Sequence, residues 1–355
     1  MSKSEPSRDR PAERMLQERH EGPPGVGWRE QFIGGSREAE AAAFEDFARQ
    51  INEIQARQDS MPRRALHAKA HMGINNAEFR VVEDLPPGFD VPPFLPGAIM
   101  KATVRLSSAA GRYEHDRKPD MRGLAVRVSS GAGTSHDFLM TNAPASHARD
   151  ARQFMLAAVA NSDPSRLRAL LALLKGIGVR ETLRMLRVVR QSSRPIDSLA
   201  TETYWSRAAM SWGGIAVRFL MRPSQETLRA TLPGVDHTDH NYLRLELARR
   251  LRKGPLTFEF CVQCYVNEQV TPIEDGAAEW SEAVTSPIKL GELVIPQQDL
   301  QSIEAKLTEV EIEKLEFSPW NTTELFRPLG NLNRARAPVY ESGAAFRAGR
   351  KHHDA

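Results

Sequence analysis

Short runs that alternate apolar with polar residues, separated by Gly, Asp and Ser, most limit the folds open to this chain. Ile99 to Ser107 alternates in this way, and Gly123 to Val128 and Asp137 to Thr141 follow at short intervals. A period of two suits a strand with one buried face and does not suit a helix. Similar runs recur at Phe79 to Val82, Ile215 to Met221, Leu256 to Val266 and Leu290 to Ile295. Strands this short, joined by turn residues, predict an antiparallel sheet or barrel.

Helical patterns interrupt the strands. Arg37 to Gln58 places Phe44, Phe47, Ile51 and Ile54 at threes and fours, and Met61-Pro62 ends it. Residues 148 to 193 read as helix, broken at Gly176-Ile177-Gly178 and resumed at Thr182. Leu167, Leu170, Leu171, Leu174, Ile177 and Val179 form one apolar stripe there, expected to pack on the chain's own core. The stripe is basic enough that contact with a membrane surface is the alternative. Asp239 to Lys253 reads as a further helix, capped by Thr238 or Asp239.

The chain has 355 residues and is 41% hydrophobic, enough for a sizeable core. Residues 1–36 are polar and predict an arm, followed by a single domain over 37–355. A net charge of +3 gives no reason to expect a nucleic-acid partner. No apolar run approaches the roughly 20 residues a membrane-spanning helix needs. Nor does the N-terminus show the apolar core of a signal peptide, so a cytoplasmic protein is expected. Cys261 and Cys264 lie on a strand, where a spacing of three points them to opposite faces, so a structural role is expected.

No phosphate loop, nucleophile elbow or H-E-x-x-H motif is present. What stands out is Arg336, Tyr340 and Arg347, which share one face if the segment is helical. A phenol flanked by guanidinium groups favours its anion, and a phenolate suits ferric iron. A surface tyrosine packed on arginine stems is the plainer reading. Upstream, His67 follows Arg64 by three residues, and His71 follows by four. On a helix His67 and His71 could face one metal, though no third ligand is near in sequence.

These segments resemble the haem catalases. His67 to Gly73 resembles their distal-histidine segment, and Val104 to Gly111 their V-R-F-S-T-V-A-G strand. Asp120 to Val128 resembles D-P-R-G-F-A-V-K-F, and Asp137 to Asp150 aligns without a gap to D-L-V-G-N-N-T-P-x-F-F-x-R-D. Arg336 to Tyr340 resembles R-x-F-x-Y. The resemblance implies an α+β fold: a catalase-like antiparallel β-barrel with helical insertions and a C-terminal haem-ligand helix. It also implies haem b, with Tyr340 as iron ligand kept anionic by Arg336, and His67 as acid–base group oriented by Ser107. Arg64, Arg105 and Arg347 would meet the haem propionates, Phe154 would stack on the porphyrin, and Asp120 matches the family's channel carboxylate.

The departures bear on activity. The distal asparagine of catalases falls on Thr141, with Asn142 beside it, so either Thr141 substitutes or Asn142 swings in. Ala109 replaces the channel valine, and Ser146 and His147 replace paired phenylalanines, which should widen and wet the pocket. Pro338 inside the ligand helix should distort its turn. The resemblance therefore implies a peroxidase acting on hydrogen peroxide or organic hydroperoxides with an unknown reductant, with weak or no catalase activity. A true catalase, an allene oxide synthase-like hydroperoxide isomerase and a non-enzymatic haem-binding protein are the alternatives. A homo-oligomer is also expected.

Overall fold

The alternating runs fold into one antiparallel sheet that closes on itself. In the computed structural model, residues 25–57, 64–131, 133–230 and 234–350 are described, the side chains of 347–350 excepted. The strands are β1 Ala70–Val81, β2 Ile99–Ser108, β3 Arg122–Ser129, β4 Ser135–Thr141, β5 Tyr204–Trp205, β6 Met210–Trp212, β7 Ile215–Pro223, β8 Leu256–Cys264 and β9 Ile288–Ile295. The short β5 pairs with β4, Thr141 opposite Trp205, and with β7, Tyr204 opposite Met221. That double pairing closes an eight-stranded ring in the order β1-β2-β3-β4-β5-β7-β8-β9, with β6 added at the edge of β7. Closure removes the open edges that an unpaired sheet would expose.

Side chains fill the interior. Phe79, Phe138, Phe219 and Phe260 meet inside, with the Phe138 and Phe260 rings 5.0 Å apart, and Phe94, Trp212 and Phe326 extend the cluster. Each such buried aromatic contributes about 1.5–3 kcal/mol from burial. A barrel packed this way leaves its interior to the core, so polar chemistry has to be built on the outside.

The helices are α1 Arg37–Ala56, α2 Ala151–Ser162, α3 Arg166–Ser192, α4 Gln225–Arg229, α5 Tyr242–Lys253, α6 Ile303–Lys314 and α7 Asn331–Arg350. Ser36 caps α1 by accepting from the Ala39 N–H. Phe44, Phe47, Ile51 and Ile54 of α1 then pack with Ala151 and Met155 of α2 and Ala335 of α7. This three-helix cluster also covers Ala65, two residues from His67.

Several sequence expectations change. Strand β1 begins at Ala70, well before Phe79, so His71 is a strand residue and the helical pairing of His67 with His71 does not arise. Pro164 splits the expected long helix into α2 and α3, since the residue before proline is pushed out of the helical region. α5 starts at Tyr242, with Asn241 at its cap position rather than Thr238 or Asp239. α6 had no counterpart in the sequence reading. α7 runs through Pro338 without a break. Residues 25–36 of the expected arm already lie against the fold: Gly25 N–H donates to the Tyr265 carbonyl, and Glu30 pairs with Arg334. Residues 1–24 lie outside the described residues.

The apolar stripe of α3 does not pack as expected. Leu173, Thr182 and Met185 are its buried residues, whereas Leu167, Leu170, Leu171 and Val179 are exposed. Cys261 and Cys264 are free, buried thiols on β8, and burial pushes both up to about 11. A thiol held that high is a packing group and a poor nucleophile.

Candidate active site

One register row assembles the site. Ala70 of β1 lies opposite Ser107 of β2, Ser107 opposite Gly123 of β3, Gly123 opposite Thr141 of β4, and Thr141 opposite Trp205 of β5. Paired positions share a face of the sheet, and neighbours along a strand take the other face. Leu106, Leu124 and Met140 belong to the barrel core. Ser107, Gly123 and Thr141 therefore face outward, at one end of the barrel, and the loop before β1 brings His67 onto this row.

His67 is held in a left-handed conformation, φ 56°. A non-glycine residue there costs about 1–3 kcal/mol and persists only when its surroundings fix it. Three contacts do so. The His67 N–H donates to the Ala109 carbonyl at 2.9 Å, its carbonyl accepts from Arg105 at 3.0 Å, and its Nδ1 lies 3.0 Å from the Ser107 Oγ. Gly123 leaves room for the ring: a Cβ there would lie 2.6 Å from the imidazole Nδ1. The Ser107 bond fixes the ring orientation and engages one ring nitrogen.

Burial, and then Arg105, Arg207, Arg336 and Arg64, push His67 down to about 3. The imidazole is thus neutral at physiological pH and able to accept a proton. Arg336 of α7, more than two hundred residues away in sequence, adds its charge to that lowering.

α7 is fixed at its start. The Asn331 N–H donates to Glu274, the Asn333 amide to the Ala209 carbonyl, and Arg334 joins Glu30, Glu40 and Glu274. Burial would lower Arg334, but Glu40 and Glu274 outweigh it and hold it firmly charged. Beyond Tyr340, Asn52 of α1 donates to Ser342 at 2.8 Å. Tyr340 is half-buried between these anchors. Arg336 donates to Asn333 Oδ1 at 3.0 Å. Arg347 lies on the same helix, but its side chain falls outside the described residues.

Other expected site residues take different partners. Arg105 donates to Glu313 of α6 at 2.6 Å, and Arg64 meets the same carboxylate at 3.7 Å, where the resemblance implied propionates. Asn142 is fully engaged: its Oδ1 accepts from the Arg122 N–H at 2.7 Å and its amide donates to Glu202 at 2.9 Å. It is tied away from the swinging role, whereas the Thr141 hydroxyl is buried with no hydrogen-bond partner among the described residues. Phe154 lies beside His147, ring centres 5.4 Å apart, and the His147 Nδ1 is likewise buried with no partner among the described residues. Asp120 accepts from the Ala110 N–H, and burial raises it.

Arg207 escaped the sequence reading. It is buried, has φ 56°, and donates to Met121 Sδ with no carboxylate partner among the described residues. Burial and then Arg336 push it down to about 10, against a raising contribution from Tyr340. It also acts on His67 and His147, so it stands amid the assembled groups. Its local sequence, Trp205-Ser206-Arg207-Ala208, carries no motif that would have found it.

The likeness to known proteins agrees with this geometry. Residues 35–166 match the family model described as Catalase. A catalase-related peroxidase of Mycolicibacterium paratuberculosis is 26% identical over 295 residues, 81% of this chain and 89% of that protein. A fungal catalase superposes with a TM-score of 0.65 at 15% identity, over 94% of this chain and 68% of that one. A bacterial catalase superposes with a TM-score of 0.58 at 17% identity, over 94% of this chain and 66% of that one, just under two thirds of its length. The matched segment, the curated relative and the closed barrel agree in likening this chain to the catalases, and the solved structures share its fold.

Proposed function

We propose that this chain is a haem-dependent peroxidase reducing hydrogen peroxide or organic hydroperoxides, with weak or no catalase activity. The observation that carries the reading is the neutral His67 held in a left-handed conformation on the barrel end, its Nδ1 3.0 Å from the Ser107 Oγ and its ring under the charge of Arg336 from the Tyr340 helix. The donor set fits a haem: a phenol on a braced helix, an imidazole on the barrel end, and a buried arginine without a carboxylate. The orphaned Thr141 hydroxyl and His147 Nδ1 add polar groups that lack partners. Tyr340 would supply a phenolate to the iron and Phe154 a ring to pack on the porphyrin, while Arg347, with Arg64 and Arg105, would supply charge for propionates. Bound haem supplies the redox-active iron.

The chain's own residues handle the proton. His67 takes it from the peroxide at Nε2, which has no hydrogen-bond partner among the described residues, and returns it to the departing oxygen. A reductant adds two electrons and two protons, so a hydroperoxide leaves as alcohol and water. Ser107 keeps the ring oriented throughout. Thr141 offers a hydroxyl where an amide is expected, and Asn142 is held by Glu202. Small or polar groups at Ala109, Ser146 and His147 favour a roomier site. Together these support peroxidase turnover over the disproportionation of two peroxide molecules.

The test is haem reconstitution followed by peroxide addition. Expected are a ferric tyrosinate-type spectrum and peroxide-dependent oxidation of a phenolic dye with little oxygen release. Vigorous oxygen evolution would make the protein a true catalase. Failure to take up haem would end the reading.

A further inference from the structure

Among the described residues nothing covers the exposed stripe on α3. Leu167 is 66% exposed, Leu171 55%, Val179 63% and Leu183 59%, values far from those of core residues. Leu167, Leu170, Leu171 and Leu174 recur at threes and fours along the first half, and Val179, Leu183 and Leu186 do so along the second. The halves join at Gly178, where φ 77° bends the helix. The same helix carries seven basic side chains against one carboxylate, Glu181, while the whole chain has a net charge of only +3.

An open cleft of about 730 Å³ runs along this surface, lined by Arg149, Arg180, Glu181, Leu183, Arg184 and Arg187. Glu181 is already shared by Arg149 at 3.2 Å and Arg184 at 2.8 Å. Arg180 and Arg187 have no ion-pair partner among the described residues. Apolar side chains beside unpaired guanidinium groups are the pattern of a helix lying in a lipid interface.

We propose that α3 docks this protein on an anionic phospholipid surface, with Leu167, Leu171, Val179 and Leu183 entering the headgroup boundary and Arg180 and Arg187 meeting lipid phosphates. Charge decides the occupant. A second copy packed face to face would set two strongly basic helices against each other. A nucleic acid would satisfy the arginines and leave the leucines in water. An anionic membrane satisfies both, and no helix of the described residues is long and apolar enough to cross it. Attachment would therefore be peripheral. It does not depend on the peroxidase reading.

The experiment is co-sedimentation of the full chain with phosphatidylcholine vesicles and with mixed phosphatidylcholine–phosphatidylglycerol vesicles. Binding is expected only to the mixed vesicles and should weaken as salt rises. The pairs Arg180→Glu with Arg187→Glu, and Leu167→Gln with Leu171→Gln, should each cut the bound fraction about tenfold. Both pairs change exposed residues, so an unchanged melting temperature separates docking from folding. Absence of binding to either vesicle overturns the proposal, as does binding that neither pair weakens. Self-association abolished by the leucine pair, without vesicle binding, would assign the face to a second copy and likewise overturn it.

Discussion

The His67 Nδ1 lies 3.0 Å from the Ser107 Oγ, and Ser107 sits on the register row that runs through Gly123 to Thr141. Removing the hydroxyl frees the ring without touching its other contacts. Ser107→Ala should lower peroxide turnover about 10–100-fold, the range for groups that orient a catalytic or ligating histidine. Steady-state kinetics at matched haem content checks this. Unchanged turnover would remove Ser107 from the mechanism.

Gly123 tests the same contact sterically. A methyl group there would lie 2.6 Å from the His67 ring and 3.0 Å from the Ser107 Oγ. Gly123→Ala should cost about 1–3 kcal/mol by overpacking. It should also lower activity in the molecules that remain folded. Calorimetry alongside turnover separates the two effects.

Tyr340 and His67 should separate by spectrum. Tyr340→Phe removes the phenolate and should abolish the tyrosinate-type haem spectrum while far-ultraviolet circular dichroism is unchanged. His67→Ala should keep that spectrum and lose peroxide reactivity. Haem retained by Tyr340→Phe with its spectrum intact would exclude Tyr340 as ligand.

Arg334 braces the helix that carries Tyr340 by meeting three carboxylates, Glu30, Glu40 and Glu274, each with a side chain no more than 12% exposed. Arg334→Met leaves those carboxylates crowded and unpaired. The expected cost is about 3–5 kcal/mol, the range for breaking one side of a buried ion-pair network. Urea titration measures it, and weaker haem retention should accompany it.

Acid should destabilise the fold through its buried histidines. Burial pushes His136 down to about 4, and burial with Arg207 and Arg184 pushes His147 down to about 3. An unfolded histidine titrates near 6.5. Below that pH the unfolded chain binds protons that the folded chain refuses, so stability is fully present above about pH 6.5 and falls as the pH drops toward 4. The slope from His136 is at most about 1.4 kcal/mol per pH unit. Thermal melts across this window should show it, and His136→Gln should flatten them. Melts independent of pH between 6.5 and 4 would contradict the assignment.

Several residues of the candidate site were singled out by local pattern. His67, Arg64, Ser107, Arg336 and Tyr340 stand in segments whose order and spacing resemble one family, and the alternating runs predicted the barrel. The inner face of β2 to β4 follows from period two alone. α6 was hidden because Ile303, Leu307 and Val310 all face solvent, so its apolar residues give no core stripe. Arg207 was hidden because an isolated arginine carries no motif.

Sequence by itself determined most of the strands, the amphipathic helices with a buried stripe and which side chains can titrate or ligate, because period and residue type are local properties. Tertiary structure alone decided who meets whom. It set Glu313 against Arg105 and Arg64, tied Asn142 to Glu202, buried Arg207 against Met121, and left the α3 leucines uncovered among the described residues. A charge takes its partner, and an apolar face its cover, from whatever distant segment the closed barrel brings alongside. No spacing along the chain encodes that.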